Sequence, residues 1–337
     1  MAPPRVSVLL PVRDARPWLE AALDSLARQT LDEHEVVAVD DGSVDGSGEM
    51  LLARAAVDAR IRVLCQPARG LVAALQTGLA TCAAPLVARM DADDVSHPRR
   101  LELQLRRLEE SPRVGVVTCG VTLFPTSGAA EGFQLYVRWL NSLRGHSDMA
   151  RERFVEAPVV HPSAVVRTAV LREAGGWRDV GWPEDYDLWL RLLEAGVRFA
   201  RVDRPLLAWR DRPDRLTRTD ARYAKRRFLA CKAHFLARGP LAGRRALIWG
   251  AGPTGRELAR RLLAERVRLD SFVDVDRRLE GRIVRGVPVI GPGKLGERLS
   301  DDLVVLAAVA ARGARALIRD RLEALGLVEG ESYWCVA

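Results

Sequence analysis

The sequence predicts an α/β protein of two domains, and two patterns carry that prediction. Short apolar runs alternate with amphipathic stretches through the first third of the chain, and a second such series begins near residue 245. This alternation is typical of βα units around a parallel sheet. Between the two series, "ARGPLAGRR" at 237–245 has the Gly- and Pro-rich composition of a linker. With 337 residues, 48% of them hydrophobic, the chain is long enough for two cores, and we expect domains over 1–238 and 244–337.

Each strand predicted in the first third is followed by polar side chains. Apolar runs predict strands over 6–12, 34–43, 60–66 and 84–90. The amphipathic stretches between them predict helices over 18–30, 47–59, 70–82 and 98–111. Ligands of such sheets bind beyond the carboxyl ends of the strands. The polar residues at those ends are therefore candidates for a binding site: Arg13, Asp14, Asp40, Asp41, Gln66 and the acidic run at 91–94.

Composition argues against several classes of protein. The net charge is +8, but the basic residues are spread among acids and are not interleaved with aromatic side chains, so we expect no nucleic-acid binding. A weak attraction to anionic membrane surfaces or phosphorylated ligands stays open. The five cysteines are widely spaced and form no CxxC pair, which argues against a disulfide framework and against a zinc site.

No segment of the sequence has the pattern of a membrane span or a secretion signal. The apolar run at 303–311 is about half of the roughly 20 residues that a spanning helix needs. The apolar run at 6–12 is interrupted by Pro11 and followed by charge, and it lacks a signal-peptide cleavage site. We therefore expect a cytoplasmic protein without a transmembrane segment.

The stretch "LVARMDADDVSHP" at 86–98 places three aspartates directly behind a predicted buried strand. In an extended chain, residues i and i+2 point the same way, so we expect Asp91 and Asp93 to converge while Asp94 turns aside. Converging carboxylates repel each other unless a cation lies between them, and carboxylate oxygens suit Mg²⁺ or Mn²⁺. The alternative is a solvated turn in which Asp94 or Ser96 caps the following helix.

Two further acidic pairs allow both a chemical and a structural interpretation. In "DDGS" at 40–43, a carboxylate followed by a glycine turn suits a nucleobase edge or a ribose hydroxyl, and the alternative is an Asx turn. Glu184 and Asp185 lie in the first turn of a predicted helix, where the helix dipole favours acids. Simple capping of that helix and a carboxylate that acts as general base are both consistent with this position.

The second series contains a glycine-rich motif. Its predicted strands cover 246–250, 269–276, 286–292 and 302–309, and its predicted helices cover 256–265 and 315–326. A GxGxxG lies between a strand and a helix, and an acidic residue ends the next strand about 20 residues on, as in a dinucleotide fingerprint. The four positions are Gly250, Gly252, Gly255 and Asp274. No pairing typical of hydride transfer follows, so the domain either binds a dinucleotide or nucleotide sugar, or serves packing or dimerisation.

Seven stretches over about 1–235 resemble, in order, the inverting family 2 glycosyltransferases, whose GT-A catalytic fold is a doubly wound, Rossmann-like mixed sheet. They are "VSVLLPVRD", "SLARQTLDEHEVVAVDDGSVDGS", "GLVAALQTGLA", "MDADDVSHPRRLELQ", "HPSAVVRTAVLREAGGW", "EDYDLWLRL" and "LLAWRDRPDRLTR". A weaker resemblance over about 244–310 relates "FVDVDRRLEGRIVRGVPVIG" to the small nucleotide-binding domains that precede bacterial sugar acyltransferases.

The resemblance implies an enzyme that transfers a sugar from a nucleoside-diphosphate donor, a UDP-sugar above all, to an acceptor hydroxyl with inversion. The acceptor would be a glycan, a lipid-linked molecule or a small molecule, and the role would be cell-surface polysaccharide or other glycan assembly. Asp91 and Asp93 would be the DxD pair that binds Mn²⁺ or Mg²⁺, with Asp91 also near the ribose. Asp185 would be the catalytic base and Glu184 its acceptor-binding neighbour. The other donor-binding positions would be Asp41, at the nucleobase, with Pro11, Arg13, Asp14, Arg69, Arg210 and Arg212.

Two positions depart from the pattern of that family. Arg212 stands where the family usually has a histidine two residues after Arg210; a guanidinium cannot ligate a metal, but it can pair with the departing diphosphate. Gln76 stands where related chains commonly carry Asn. His161 precedes a proline and is expected in a loop or an acceptor pocket rather than at a metal.

Two rival functions stay open: an NAD(P)-dependent oxidoreductase that uses the GxGxxG, and a nucleotide-sugar sensor without catalysis.

Overall fold

The computed structural model describes residues 3–125 and 131–337, and their contacts divide the chain into two compact units. The first unit consists of Met1–Met149, Pro158–Val180 and Asp187–Arg215. The second unit consists of Ala150–Ala157, Gly181–Tyr186 and Leu216–Ala337. Composition predicts a boundary at 238–244, whereas by contacts the segment before that linker belongs to the second unit, together with two short segments from the middle of the chain.

The described residues of the first unit form an eight-stranded mixed sheet. Its strands are β1 (Val6–Val12), β2 (His34–Asp40), β3 (Ile61–Cys65), β4 (Leu86–Arg89), β5 (Val95–Ser96), β6 (Val114–Phe124), β7 (Val165–Arg167) and β8 (Arg198–Arg210). Their spatial order is β3-β2-β1-β4-β7-β6-β8-β5. The first four strands in that order pair in parallel, and β7 runs antiparallel to both of its neighbours. The predicted α/β class of the first domain is confirmed.

Helices are interspersed with these strands along the chain, and residues 150–152 and 184–186 of two of them belong to the second unit. These helices are α1 (Arg16–Ala27), α2 (Ser47–Val57), α3 (Leu71–Thr81), α4 (Arg100–Glu109), α5 (Glu131–Ser142), α6 (His146–Glu152), α7 (Thr168–Glu173) and α8 (Glu184–Glu194). All seven residues of β1 are buried, which explains the unbroken apolar run in the sequence, since a parallel sheet is covered on both sides. Gly78 lets α3 approach the sheet closely, because a Cβ atom at this position would overlap the side chain of Leu9.

The second unit contains a smaller sheet. Its strands are β9 (Arg245–Trp249), β10 (Arg268–Val273), β11 (Ile283–Val284), β12 (Val287–Ile290), β13 (Leu303–Ala307) and β14 (Tyr333–Cys335). Its helices are α9 (Leu216–Thr219), α10 (Lys225–Arg238), α11 (Pro253–Ala264) and α12 (Ala314–Glu323). The parallel strands lie in the order β12-β10-β9-β13-β14. Read along the chain this is 3-2-1-4-5, the order of doubly wound nucleotide-binding folds.

Buried charges tie the segment at 150–157 to the rest of the second unit. The ammonium group of Lys232, which is buried in α10, donates to the carbonyl oxygens of Val155 at 2.8 Å and Val336 at 3.1 Å. The buried carboxylate of Glu152 pairs with Arg319 at 2.5 Å and with Arg315 at 3.4 Å. Pairs between residues so far apart in the sequence cannot be predicted from local composition. The linker alone therefore predicts one boundary near 238–244 and does not reveal that earlier segments belong to the second unit.

No helix among the described residues is both long and apolar enough to span a membrane. The longest of them, α10, has 14 residues and includes five charged side chains of Lys and Arg. A spanning helix needs about 20 predominantly apolar residues.

Candidate functional site

The carboxyl ends of four strands meet at one edge of the first sheet. β3, β2, β1 and β4 are neighbours and run parallel, so the loops that follow them leave the sheet on the same side. Ligands of open parallel sheets bind at this edge. The topology therefore brings together the predicted residues at 13–14, 41, 69 and 91–94.

Asp41 joins the loops that follow β2 and β3. Its side chain is 4% exposed, and its two oxygens accept hydrogen bonds from the backbone N–H groups of Arg69 and Gly70, both at 2.8 Å. The amide of Gln66 donates to the same carboxylate at 2.7 Å. A guanidinium nitrogen of Arg13 lies 3.6 Å away. Asp41 thus fixes the start of α3, and Arg69 takes part through its backbone rather than through its side chain.

The loop after β1 is held by Asp14, which adopts a positive φ of 46°. Its carboxylate accepts from the N–H of Val44 at 2.9 Å, and its own N–H donates to Ser43 Oγ at 3.1 Å. Pro11 is buried within β1 rather than in the loop. It is tolerated there because β4 pairs with β1 only as far as Leu9, so no ladder hydrogen bond is lost beyond that residue.

The three aspartates after β4 converge on one point. One ligand oxygen from each of Asp91, Asp93 and Asp94 can be chosen so that all three lie within 4.8 Å of one another. The expectation that Asp94 turns aside is wrong, because the chain is not extended here. Instead a turn, in which the N–H of Asp94 donates to the carbonyl of Asp91 at 3.3 Å, brings Asp94 back to its neighbours. The capping alternative also fails, since α4 has Arg99 at its N-cap and no side-chain capping bond.

Arginines surround this acidic turn. The buried Arg89 donates to Asp91 Oδ1 at 2.6 Å, and Arg212 Nε donates to Asp93 Oδ2 at 2.8 Å. The backbone N–H of Arg210 donates to Asp94 Oδ1 at 2.8 Å, while its guanidinium donates to the carbonyl of Asp93 at 2.7 Å. Both arginines singled out near the end of β8 therefore contact the acidic turn.

One oxygen of the cluster forms no hydrogen bond with any residue that the structure describes. Asp94 is 1% exposed, and its Oδ2 forms no hydrogen bond among the described residues. Burial, followed by the charges of Asp91 and Asp93, raises the pKa of Asp94 well above its ordinary value, and burial and Asp91 also raise the pKa of Asp93. A divalent cation would relieve this cost, because hard carboxylate oxygens are the ligands that Mg²⁺ and Mn²⁺ prefer. The donor set of this turn fits such an ion.

Asp94→Asn is expected to stabilise the cation-free first unit at neutral pH. The raised pKa means that folded Asp94 keeps a proton that the unfolded chain releases above about pH 4. The folded state then binds more protons than the unfolded state, so this carboxyl lowers stability as the pH rises through that window. In EDTA, the thermal midpoint of the variant should exceed that of the wild type by roughly 3 °C for each kcal/mol gained.

Two comparisons make that result specific. The difference in thermal midpoint should shrink as the pH falls and disappear at about pH 3, where Asp94 is protonated in both states. The exposed Asp32 provides a control, since Asp32→Asn makes the same change on an exposed side chain. A wild type that is the more stable protein in EDTA at neutral pH would contradict the assignment of an unfavourably buried carboxyl group to Asp94.

Hydrogen bonds between buried polar groups connect α4 to β4, the strand that precedes the acidic turn. Arg100 is fully buried in the first turn of α4, and its guanidinium donates to the carbonyl of Arg89 at 2.7 Å and to Gln104 Oε1 at 3.0 Å. The amide of Gln104 in turn donates to the carbonyls of Val117 and Ser163 at 3.0 and 2.8 Å. The sequence analysis missed Arg89 and Arg100. An arginine inside the apolar run "LVARM" is the signal that points to a buried counter-charge.

The acids at the start of α8 are held within the second unit. The hydroxyl of Tyr223 donates to Glu184 Oε2 at 2.8 Å, and Arg222 lies 3.8 Å from the same oxygen. Burial, followed by the charge of Glu184, raises the pKa of Tyr223 well above its ordinary value, so the phenol stays a donor. Asp185 Oδ1 accepts from the N–H of Tyr186 at 2.7 Å. Sequence reasoning missed Tyr223, because 39 residues separate it from Glu184.

Two other singled-out residues have structural partners. His161 is buried, and its Nε2 accepts from the indole N–H of Trp177 at 2.8 Å. Burial holds the pKa of His161 well below its ordinary value, so the ring is neutral. The amide of Gln76 donates to the carbonyls of Gly175 and Trp177 at 3.0 and 2.6 Å. Both side chains thus stabilise the loop around Trp177.

The glycines of the second unit have different surroundings. Gly250 has a φ of 114°, and a Cβ atom on Gly255 would overlap the carbonyl oxygen of Gly250, so both positions require glycine for the backbone itself. A Cβ atom on Gly252 would meet nothing within 4 Å. Asp274 Oδ2 accepts from the N–H of Ala251 at 2.8 Å, which places this carboxylate at the glycine loop.

Known structures define the class of the fold. S. aureus TarS 1-349 in complex with UDP-GlcNAc superposes with a TM-score of 0.54 at 16% identity, over 78% of this chain and 72% of that one. The mannosyltransferase PcManGT from Pyrobaculum calidifontis, in complex with GDP-Man and Mn²⁺, gives 0.53 at 22% identity, over 79% and 70% of the two chains. The mixed sheet with its acidic turn therefore has the GT-A fold of glycosyltransferases.

Sequence comparison identifies the family. The profile described as "Glycosyl transferase family 2" matches residues 7–175. The putative glycosyltransferase EpsE of Bacillus subtilis is 30% identical over 226 residues, which cover 66% of this chain and 78% of that protein. The amylovoran biosynthesis glycosyltransferase AmsE of Erwinia amylovora is 32% identical over 185 residues, or 55% and 67% of the two chains. The chain belongs to glycosyl transferase family 2 and is a glycosyltransferase.

Proposed function

We propose that this glycosyltransferase transfers a sugar from a nucleoside-diphosphate sugar, with a UDP-sugar as the favoured donor, to an acceptor hydroxyl with inversion. The observation that carries the proposal is the convergence of three carboxylates, one with a buried oxygen that has no hydrogen-bond partner within 3–125 and 131–337. Asp91 and Asp93, joined by Asp94, would hold Mn²⁺ or Mg²⁺. Bound there, the ion would neutralise negative charge on the leaving diphosphate.

The donor-binding part of the proposal rests on the loops at the carboxyl edge of the sheet. Asp41 is the proposed contact to the nucleobase, since its position is fixed by two backbone N–H groups and it remains next to the half-exposed Arg13. Asp14, Pro11 and Arg69 shape the same loops. Arg210 and Arg212 contribute positive charge for the diphosphate, and a guanidinium can bind phosphate oxygens in pairs.

Asp185 is the proposed catalytic base. Its carboxylate accepts the proton of the acceptor hydroxyl while the acceptor oxygen forms a bond to the anomeric carbon. The bond from that carbon to the diphosphate oxygen breaks on the opposite face, and its electron pair leaves with the diphosphate. A single displacement of this kind inverts the configuration. Glu184, held by Tyr223, is the proposed contact to the acceptor.

The biological setting is proposed from named relatives. AmsE is described as an amylovoran biosynthesis glycosyltransferase, and another relative, 27% identical over 215 residues, is a UDP-Gal:α-D-GlcNAc-diphosphoundecaprenol β-1,3-galactosyltransferase from Escherichia coli. These names support a role in cell-surface polysaccharide assembly with a glycan or lipid-linked acceptor. A cytoplasmic location is proposed with this role, because nucleotide sugars are the substrates.

A panel of nucleotide sugars tests the proposal. Each is incubated with the full chain and Mn²⁺, Mg²⁺ or EDTA, and release of the nucleoside diphosphate is measured with and without candidate acceptors. We expect slow hydrolysis of one donor that depends on a divalent ion and is accelerated by an acceptor. Turnover of a pyridine nucleotide without donor cleavage would instead identify an oxidoreductase. Tight binding of a nucleotide sugar without cleavage would identify a sensor.

We further propose that the second unit binds a dinucleotide or a nucleotide sugar at its glycine loop. Gly252 is the residue that favours this, because nothing within 4 Å occupies the space its missing Cβ would fill, and it precedes α11, whose first-turn N–H groups after Pro253 can donate to a phosphate. Asp274 lies at the same loop, where an acidic residue can bind a ribose hydroxyl.

Paired glycine variants separate binding from packing. Gly252→Ala should fold like the wild type, since the added methyl group is unobstructed, but it should weaken nucleotide binding about tenfold or more by blocking close approach of a phosphate. Gly255→Ala should lower the stability of the second unit whether or not a ligand is present. Calorimetric titration with NAD, UDP and UDP-GlcNAc measures the first effect. Equal nucleotide affinities of Gly252→Ala and the wild type would mean that the glycine loop has only a structural role.

A further inference from the structure

The guanidinium group of Arg212 pairs with Asp93, a carboxylate that we propose as a ligand of the cation. Its Nε donates to Asp93 Oδ2 at 2.8 Å, and its Nη1 pairs with Asp214 Oδ2 at 2.5 Å. Its Cζ lies 4.2 Å from the centroid of the Trp18 ring, in a cation–π contact. Contacts with Asp93, Asp214 and Trp18 therefore hold the guanidinium group beside the acidic turn.

Arg212 has a more exposed side chain than either Arg89 or Arg215. The side chain of Arg212 is 24% exposed, whereas that of Arg89, which pairs with Asp91, is 3% exposed. Arg215 is nearly buried and stacks over Trp209 at 4.3 Å. The outer partner of Arg212, Asp214, is 60% exposed, and a pair so open to solvent contributes little stability.

A guanidinium and a divalent cation compete at Asp93. Arginine keeps its charge throughout the accessible pH range and has no lone pair to offer a metal, so it cannot become a ligand. Two positive groups within a few ångströms of one carboxylate repel each other, and the repulsion is stronger where water is scarce. A bound diphosphate changes this balance, because it offers the guanidinium a second, bidentate anionic partner.

We propose that Arg212 acts as an internal counter-cation that neutralises Asp93 in the free enzyme and transfers to the donor diphosphate when the metal ion binds. This inference rests on the proposed donor and metal site. It makes metal and nucleotide binding cooperative: the ion binds weakly alone, because it must displace Arg212, and more tightly with a diphosphate that takes up the displaced guanidinium. By linkage, each of the two ligands strengthens the other by the same factor.

Metal binding without nucleotide tests this directly. Mn²⁺ is titrated into the full chain and free Mn²⁺ is followed by electron paramagnetic resonance, for the wild type, Arg212→Gln and Arg212→Lys. We expect Arg212→Gln to bind Mn²⁺ at least about fivefold more tightly than the wild type, the lower end of common coupling factors. Arg212→Lys, which retains the charge, should bind Mn²⁺ more weakly than Arg212→Gln. The control Arg106→Gln removes one charge of an exposed helical ion pair and should bind like the wild type.

Nucleotide binding provides the second arm. Titration with UDP and GDP, each with Mn²⁺ or EDTA, should show a larger gain from Mn²⁺ in the wild type than in Arg212→Gln. Mn²⁺ binding that is equal or weaker in Arg212→Gln would overturn the counter-cation role while leaving the proposed metal site intact. Absence of Mn²⁺ binding in every variant, even with nucleotide, would overturn the metal site and this inference together.

Discussion

Asp185→Asn should lose sugar transfer almost completely while it still binds the donor. The amide has nearly the same shape as the carboxylate, and its oxygen can keep the hydrogen bond from the N–H of Tyr186. It cannot take up the proton of the acceptor hydroxyl. General-base catalysis contributes about 10²- to 10⁴-fold, so we expect kcat to fall by that factor with the dissociation constant of the donor unchanged.

Single-turnover transfer assays and calorimetric donor titrations measure the two quantities separately. The control is Asp320→Asn, which makes the same change at an exposed position of α12 in the same unit. It should match the wild type in both assays. Unchanged transfer in Asp185→Asn would exclude Asp185 as the base, whereas loss of donor binding would give it a role in the donor site instead.

Asp93→Ala should abolish the metal-dependent part of donor binding. It removes a central carboxylate of the acidic turn and the partner of Arg212 Nε. Loss of a residue that only supports a metal ligand costs about 10- to 100-fold in affinity, so removal of a ligand itself should cost at least about 100-fold. Donor titrations with Mn²⁺ and with EDTA should therefore give nearly the same weak affinity for this variant.

The thermal midpoint in EDTA distinguishes this effect from unfolding. Asp93 is a carboxyl whose pKa is raised by burial and by Asp91, so its removal relieves repulsion and should not destabilise the cation-free protein. Asp32→Ala, at an exposed loop position, is the matched control and should keep the full response to Mn²⁺. A variant that still gains donor affinity from Mn²⁺ as the wild type does would remove Asp93 from the proposed metal site.

Local pattern predicted β1 to β4 of the first sheet and β9, β10, β12 and β13 of the second, but it predicted none of β5 to β8, β11 or β14. The strand predicted over 6–12 is β1 (Val6–Val12), and the motif at 250–255 begins directly after β9 and ends in the first turn of α11. Hydrophobic periodicity and turn residues are local signals, so a helix or strand can be predicted from its own segment of the sequence. The convergence of loops at the carboxyl edge then follows from the parallel order of the strands.

What the sequence could not reveal depends on tertiary contacts or on turn geometry. Asp94 joins its neighbours only because a turn replaces the extended chain that alternation assumes. Arg100 and Tyr223 act through partners that packing brings close, Arg89 and Glu184. The roles proposed for Asp41, Asp93 and Asp185 remain predictions, and the experiments above address Asp93 and Asp185 singly.

A crystal structure with Mn²⁺ and the nucleoside diphosphate selected in the donor panel tests the central claim most directly. Anomalous scattering locates the manganese without reference to the protein. We predict a peak about 2.1 Å from a carboxylate oxygen of Asp93 and in contact with the diphosphate, with Arg212 turned from Asp93 to a phosphate oxygen. A bound nucleotide with no manganese at the acidic turn would contradict the account.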